Sequence, residues 1–328
     1  MTVLVTGAAG FVGMHVSRAL VARGERVLGV DNLNSYYSPA LKQGRLRQLE
    51  KLDGFRFVRL DIADAEAMTG LAQEHGAGIT GVVHLAAQAG VRYSLEKPYE
   101  YVRSNLEGHM VVLETCRHHL PALRHLVYAS SSSVYGGNTK VPFSVEDRVE
   151  QPVSLYAATK RSDEILSQAY AHLYRIPQTG LRFFTVYGPW GRPDMAYYSF
   201  TDAIATGRPI TLFNEGKMRR DFTYIDDIVD GVLRALDRPP AGEGQPPHRI
   251  YNLGNNQPVE LERFVAAIEA AVGRKAEIRY APMQPGDVVE TFADIEATRR
   301  DLEWSPSTPI DEGLRHFAVW YGEFHRPR

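Results

Sequence analysis

A doubly wound, parallel α/β sheet with a smaller, interleaved α/β lobe is the fold class this 328-residue sequence predicts. Three observations carry it. Short apolar runs recur through the first 183 residues, with helix-compatible stretches between them. The first run, Val3–Val5, passes straight into Gly7-x-x-Gly10-x-x-Gly13 and then an amphipathic stretch. The second, Val27–Val30, ends at Asp31, 18 residues after Gly13.

The glycine spacing has a mechanical reading. Gly7 and Gly10 allow a tight turn and a close approach of the backbone to a pyrophosphate. Gly13 lets the following helix pack against the strand, and the N–H groups at the helix start bind the phosphates. Asp31 stands where a carboxylate accepts both ribose hydroxyls. That favours NAD, since a 2′-phosphate would meet a like charge.

Further along, strands are expected at Phe55–Leu60, Val82–Leu85, Leu126–Ala129 and Thr179–Phe183. Helices are expected at Gly10–Arg23, Ala63–Glu74, Tyr99–His118 and Leu155–Tyr174. This βα alternation builds a parallel sheet, with ligands at the carboxyl ends of the strands. Asp61 and Ile62 follow the third strand at that edge, where an adenine would lie. The Pro- and Gly-rich stretch Arg238–His248 reads as a surface loop. Residues 1–182 are read as a Rossmann-type NAD-binding domain. Residues 183–328 are read mainly as a substrate-binding lobe, with segments near 225–255 as candidates to return to the first domain.

Bulk properties exclude some classes. Lys plus Arg is 37 and Asp plus Glu is 39, a net charge of −2, so no basic excess suggests a nucleic-acid partner. No apolar run reaches the roughly 18 residues of a membrane span. Residue 3 already belongs to a core strand, so no signal peptide is expected ahead of the fold. Cys116 is the only cysteine, which leaves no intrachain disulfide and suits a reducing, cytoplasmic setting. The histidines show no metal-ligand spacing, and no metal is expected.

Two features beyond the glycine loop carry chemistry. Ser130-Ser131-Ser132-Ser133-Val134-Tyr135-Gly136 directly follows an apolar strand. Tyr156-Ala157-Ala158-Thr159-Lys160 lies early in a helix, where residues four apart share a face. An ordinary tyrosine ionises near pH ~10, too high for a base at neutral pH. A neighbouring ammonium and an oxidised nicotinamide both favour the phenolate, which then takes a proton from a substrate hydroxyl. A serine hydroxyl nearby holds that oxygen.

These residues resemble the extended short-chain dehydrogenase/reductase family over essentially the whole chain. Within it, the sequence is similar to the UDP-glucuronate 4-epimerases. The stretches that carry the likeness are Asp31–Tyr37 (DNLNSYY), Ala86–Ser94 (AAQAGVRYS), Arg182–Met195 (RFFTVYGPWGRPDM) and Arg219–Asp227 (RRDFTYIDD). The resemblance implies a hidden redox cycle. Tyr156 removes the proton from the sugar's C4 hydroxyl and the C4 hydride moves to NAD. The 4-keto sugar swings about its link to the diphosphate, and the hydride returns to the opposite face. NAD is regenerated and stays bound.

The family pattern then assigns roles. Tyr156, Lys160 and Ser131 are the expected catalytic residues. Gly7, Gly10, Phe11, Val12, Gly13, Asp31, Asn32, Asn34, Asp61, Ile62, Leu85, Ala86, Ala87, Gln88, Asn105, Tyr156 and Lys160 are the expected cofactor contacts. Arg92, Ser131, Ser132, Ser133, Thr185, Arg192, Arg220 and Asp287 are the expected substrate contacts. Helices Tyr99–His118 and Leu155–Tyr174 are the pair that relatives use for a homodimer interface.

Departures from sister enzymes narrow the chemistry. Related dehydratases carry Asp-Glu at the positions of Ser132 and Ser133, and UDP-glucuronate decarboxylases carry Glu at the position of Ser133. Hydroxyls cannot do that proton chemistry at neutral pH. UDP-galactose 4-epimerases usually carry Asn at the position of Thr185 and Arg at that of Gln284, and both differ here. The favoured expectation is epimerisation of UDP-glucuronic acid to UDP-galacturonic acid. A UDP-glucose/UDP-galactose 4-epimerase, a UDP-glucuronate decarboxylase, a net dehydrogenase and a non-catalytic NAD-binding regulator stand as alternatives. A 4-keto uronic acid is a β-keto acid that can lose carbon dioxide. Thr185 and serines of Ser131–Ser133 are therefore expected to hold the carboxylate, with Arg192 guarding the pocket. Asp226 and Asp227 are expected to cap the helix that follows them.

Overall fold

The computed structural model describes residues 1–283 and 289–326. The chain lays down β1 (Thr2–Thr6), β2 (Arg26–Asp31), β3 (Phe55–Arg59), β4 (Ile79–His84), β5 (His125–Ser131) and β6 (Gln178–Phe183). Four short strands follow: β7 (Thr185–Tyr187), β8 (Ile210–Phe213), β9 (Arg219–Arg220) and β10 (Phe222–Tyr224). The chain then returns to the main sheet as β11 (His248–Leu253). The seven-stranded sheet runs β11-β6-β5-β4-β1-β2-β3, parallel throughout. This is the Rossmann-like architecture that the βα alternation predicts.

The strands are near-continuous apolar runs because both faces are covered. Side chains alternate between two cores. Val3, Val5, Val27, Val83 and Val127 face one, and Leu4, Leu28, Val82 and Leu126 the other. Helices α1 (Phe11–Ala22), α2 (Pro39–Leu49), α3 (Ala65–His75), α4 (Tyr93–Glu96), α5 (Pro98–Tyr101), α6 (Gly108–His119), α7 (Leu155–Tyr174), α8 (Ala196–Thr206) and α9 (Ile225–Asp237) connect these strands. Each fully buried Val or Leu contributes about 1.5–3 kcal/mol, so the two layers of apolar contact dominate the fold's stability.

Beyond β11, the chain forms β12 (Val259–Glu260), α10 (Leu261–Val272), β13 (Ile278–Ala281), β14 (Glu290–Thr291), α11 (Glu296–Leu302) and α12 (Ile310–Phe324). Here β8 pairs with β13, β7 with β10, and β9 lies between β12 and β14. Phe222 stacks on Phe264 at 4.0 Å, and Phe317 packs edge-on against Tyr197. These aromatics belong to the same apolar cluster as Val3 and Val127.

The helix expected at Tyr99–His118 is broken by a π-helical turn, Val102–Glu107, between α5 and α6. Helix α2 forms where no helix is expected, because Gly44 and a mixed polar sequence hide its periodicity. Asp226 and Asp227 do lie in the first turn of α9, but neither caps it. Instead the Asp227 carboxylate accepts the backbone N–H groups of Ser307 and Thr308 at 3.1 and 3.0 Å. It thereby ties the approach to α12 onto α9.

Sheet order reverses about β1, whose neighbours are β2 and β4. The connections that leave their carboxyl ends diverge there and leave a crevice.

Candidate active site

That crevice is a cavity of about 350 Å³. One end is lined by Gly7, Gly10, Phe11, Val12, Gly13, Asp31, Asn32, Asn34, Ile62 and the Leu85–Gln88 segment. The other is lined by Ser131, Ser132, Ser133, Tyr156, Lys160, Thr185 and Arg192.

The glycine loop is held by its own backbone. The N–H groups of Gly7 and Ala8 both donate to Val30 O, at 2.7 and 3.1 Å. Gly7 has φ +72°, and a Cβ there would lie 2.7 Å from Ala86 N. A Cβ on Gly13 would lie 2.0 Å from Gly7 O. Helix α1 then starts at Phe11 with no side-chain cap and no acidic residue in its first turn. Its positive dipole end and first amides therefore suit an anionic diphosphate.

Asp31 ends β2 and is buried. Its carboxylate accepts the Ala9 and Leu33 N–H groups, at 3.2 and 2.8 Å. Lys42 Nζ lies 3.8 Å from it and donates to Asn34 Oδ1 at 2.8 Å. The glycine cradle, the uncapped helix and this carboxylate together fit a dinucleotide with free ribose hydroxyls.

The four consecutive serines divide by partner. Ser130 Oγ donates to Glu164 Oε1 at 2.6 Å. Burial pushes the Glu164 carboxyl up, but hydrogen bonds from Arg182 and Ser130 hold it below its usual range. Ser130 is thus committed to a buried Glu164–Arg182 pair, with Arg182 Nε at 2.8 Å. Ser131 accepts the Ser133 N–H at 3.2 Å, and its hydroxyl lies 3.2 Å from that of Ser133. Ser131–Ser133 therefore form a hydroxyl cluster on the cavity wall.

Ser154 caps α7 by accepting the Ala157 N–H at 3.1 Å, which puts Tyr156 in the first turn. The Tyr156 ring stands edge-on to Tyr101, 6.1 Å between centroids. Lys160, one turn on, donates to Ala129 O and to Asp163 Oδ2, both at 3.0 Å. Asn105 lies behind the wall. Its amide accepts the Gln88 N–H at 2.8 Å and donates to Thr159 Oγ1 at 3.0 Å. It straps the Leu85–Gln88 segment to the helix bearing Tyr156.

Arg192 lines the cavity with Tyr156, close enough for the two to interact electrostatically. Burial opposes its charge, but the Asp194 carboxylate raises its basicity further, with Nε at 3.1 Å. Tyr36 donates to Asp194 at 3.2 Å. Burial and then Asp194 push the Tyr36 hydroxyl up to about 12, so it stays a donor. Tyr36, Asp194 and Arg192 bridge the loop after β2 to the segment before α8.

Four of the expected contacts lie elsewhere. Asn105 acts from behind Gln88. Asp61 accepts the Ala63 N–H at 3.0 Å beside the cavity-lining Ile62. Arg92 follows the cavity-lining Val91. Arg220, in β9, donates to the carbonyls of Arg219 and Val289, at 3.0 and 3.1 Å. Asp287, with Gln284, lies outside the described residues.

The family model described as the NAD dependent epimerase/dehydratase family matches residues 3–254. The chain belongs to that family. The probable UDP-glucuronate 4-epimerase of Rhizobium meliloti is 45% identical over 339 residues, covering 99% of this chain and 98% of that protein. UDP-glucuronate 4-epimerase 3 of Arabidopsis thaliana is 49% identical over 331 residues, covering 98% of this chain and 76% of that one. Among solved structures, UDP-glucuronic acid 4-epimerase from Bacillus cereus in complex with UDP-glucuronic acid and NAD is similar at a TM-score of 0.89. It is 34% identical and covers 99% of this chain and 100% of that chain.

Two residues of this epimerase/dehydratase chain escape the sequence reading: Lys42 and Arg45, both on α2. Lys42 lines the cavity beside Asp31. Arg45 is fully buried and binds backbone carbonyls on both sides of the site. Met195 also lines the cavity. The signal for α2 was a Pro at its start and two cations three apart, too weak to assign a role.

Proposed function

We propose that this protein is a UDP-glucuronate 4-epimerase that interconverts UDP-glucuronic acid and UDP-galacturonic acid and keeps its NAD between turnovers. One observation carries the choice of reaction. Hydroxyls, not carboxylates, surround the reacting end of the cavity. Among the described residues that line it, Asp31 is the only carboxylate, and it stands at the far, ribose end. Elimination and assisted decarboxylation both need an acid or base that Ser132 and Ser133 do not supply.

The residues divide the work as follows. NAD, held by the glycine cradle, Asp31 and the Leu85–Gln88 segment, supplies a reversible hydride acceptor when bound. Tyr156 takes the proton from the C4 hydroxyl and gives it back on the other face. Lys160 orients the nicotinamide ribose. Ser131 holds the reacting oxygen, the sugar passing through a 4-keto form. Thr185 with Ser132 and Ser133 holds the uronate carboxylate, keeping the C5–C6 bond out of line with the ketone π system. Arg192 closes the pocket over it. Arg220, whose planar fork matches phosphate oxygens, is the proposed ligand of the diphosphate, with Arg92 and Asp287 as further sugar-nucleotide contacts. Residues 1–182 thus serve chiefly the cofactor and residues 183–328 chiefly the substrate.

We also propose that the protein works in the cytoplasm as a homodimer. Ala158, Ser162, Ile165, Ala169 and Leu173 fall on one stripe of α7. Tyr99, 86% exposed, and Val102 lie on the neighbouring helical stretch. Such apolar groups suit the face of a second copy.

The test is an NMR time course with UDP-glucuronic acid and no added NAD. UDP-galacturonic acid without a pentose product is expected. A UDP-pentose product would overturn the hydroxyl argument, and turnover of UDP-glucose alone would move the protein to neutral sugars.

A further inference from the structure

We infer that Asp163 is a positioning residue for the active-site lysine, setting how much positive charge Lys160 presents to Tyr156. The inference rests on the roles proposed above for Tyr156 and Lys160.

A lysine ammonium has three N–H donors and no acceptor. Two donors of Lys160 are spent, on Ala129 O and on Asp163 Oδ2, each at 3.0 Å. One remains for the cavity, which Lys160 lines. Asp163 sits three residues on, behind the ammonium, and both side chains are almost wholly buried. The second oxygen of Asp163 has no hydrogen-bond partner among the described residues. A buried carboxylate with an unused oxygen is costly unless its charge is needed.

The groups around the pair leave that charge to Asp163. From β4, His84 faces Lys160, and burial and then His109 push its imidazole well below the usual range. From α6, His109 is also pushed down, chiefly by burial. From β5, Tyr128 is pushed up by burial and stays a neutral phenol. On α7, Glu164 is engaged by Arg182, Arg161 and Ser130. Two neutral imidazoles and a neutral phenol cannot balance an ammonium. Asp163 does so at contact distance.

The pairing has a direction. A carboxylate behind Lys160 weakens the pull of the ammonium on a phenolate at Tyr156, and at the same time fixes where the third N–H points. Removing the charge while keeping the acceptor should favour the phenolate at lower pH. Removing both should also let the ammonium swing.

Asp163→Asn and Asp163→Ala, purified with bound NAD, separate the two effects. Asp163→Asn should retain NAD and move the acidic limb of kcat/KM for UDP-glucuronic acid down by about one pH unit. Asp163→Ala should lower kcat with KM little changed. A superimposable Asp163→Asn profile would overturn the inference. A readout without turnover is the ultraviolet absorbance of tyrosinate during a pH titration, with Tyr156→Phe as the blank. A tyrosinate signal at lower pH in Asp163→Asn supports the inference, and an unmoved signal rejects it. If the wild-type protein turns over no UDP-glucuronic acid, the proposed function fails, and the absorbance titration still decides the role of Asp163.

Discussion

Arg45 donates to the carbonyl of Trp190 through both Nε and Nη2, at 2.9 and 2.6 Å. Its Nη1 donates to Ala9 O at 3.1 Å, inside the glycine loop. One buried guanidinium therefore joins the cofactor cradle to the segment that delivers Arg192. Trp190 takes φ +63°, a region that bulky residues rarely adopt. Its ring fills the space that a Cβ on Gly44 would enter, 2.7 Å away.

Arg45→Lys should therefore cost about 3 kcal/mol, because several buried carbonyls lose their donors at once. The thermal midpoint is expected to fall by several degrees. Gly44→Ala should lower it too, by pressing on the Trp190 ring. Midpoints unchanged from wild type would remove the stapling role of Arg45.

Tyr156→Phe removes the hydroxyl and keeps the ring on Tyr101. Epimerisation should drop by about 10²–10⁴, while the protein still purifies with NAD. Retained turnover would sink the proton-transfer role, and loss of NAD would show that the hydroxyl serves binding instead.

Stability should fall as the pH drops below neutral. Burial pushes His15 down to about 3, and His125 and His248 down to about 4. Each is already satisfied as neutral imidazole; His125, for instance, lies 3.1 Å from Leu236 O and 2.9 Å from Thr179 Oγ1. Unfolded histidines titrate near ~6.5, so between there and about 4 the unfolded chain binds protons that the native state refuses. The slope approaches about 1.4 kcal/mol per pH unit for each histidine. For His15 the loss continues to about 3. Melting at pH 7.5 and at pH 5.5 checks this, and equal midpoints would contradict it.

Charge placed on the exposed apolar stripe should split the dimer. Ile165→Arg or Tyr99→Asp is expected to halve the mass seen by light scattering while leaving the fold intact. A wild-type monomer at working concentration would reject the dimer outright.

The sheet was legible because its strands are buried on both faces. Val3–Val5 and Leu126–Ala129 read as apolar runs with glycine or polar breaks after them. Helix α7 was legible to the residue because Ser154 caps it and its core face repeats regularly. The cradle was legible because the three glycines follow an apolar strand and open a helix, with Asp31 ending the next strand. What stayed hidden was chosen by tertiary context. Lys42 and Arg45 sit on a helix with no clean apolar face. The commitment of Ser130 to Glu164 depends on a partner 34 residues away. Asp163 was visible at one turn's spacing from Lys160, but nothing in the sequence says that it is buried.

The π-helical turn at Val102–Glu107 changes how that whole stretch of chain is read. One surplus residue rotates everything beyond it by about 100° relative to a regular helix. The turn works as a frameshift in three dimensions. Upstream of it, Tyr101 points inward and Tyr99 outward. Within it, Asn105 is wound inward to meet Gln88 and Thr159. Deleting a single residue there would restore the ordinary phase. The helix beyond it would then turn by about 100°, carrying its buried face well round from the core.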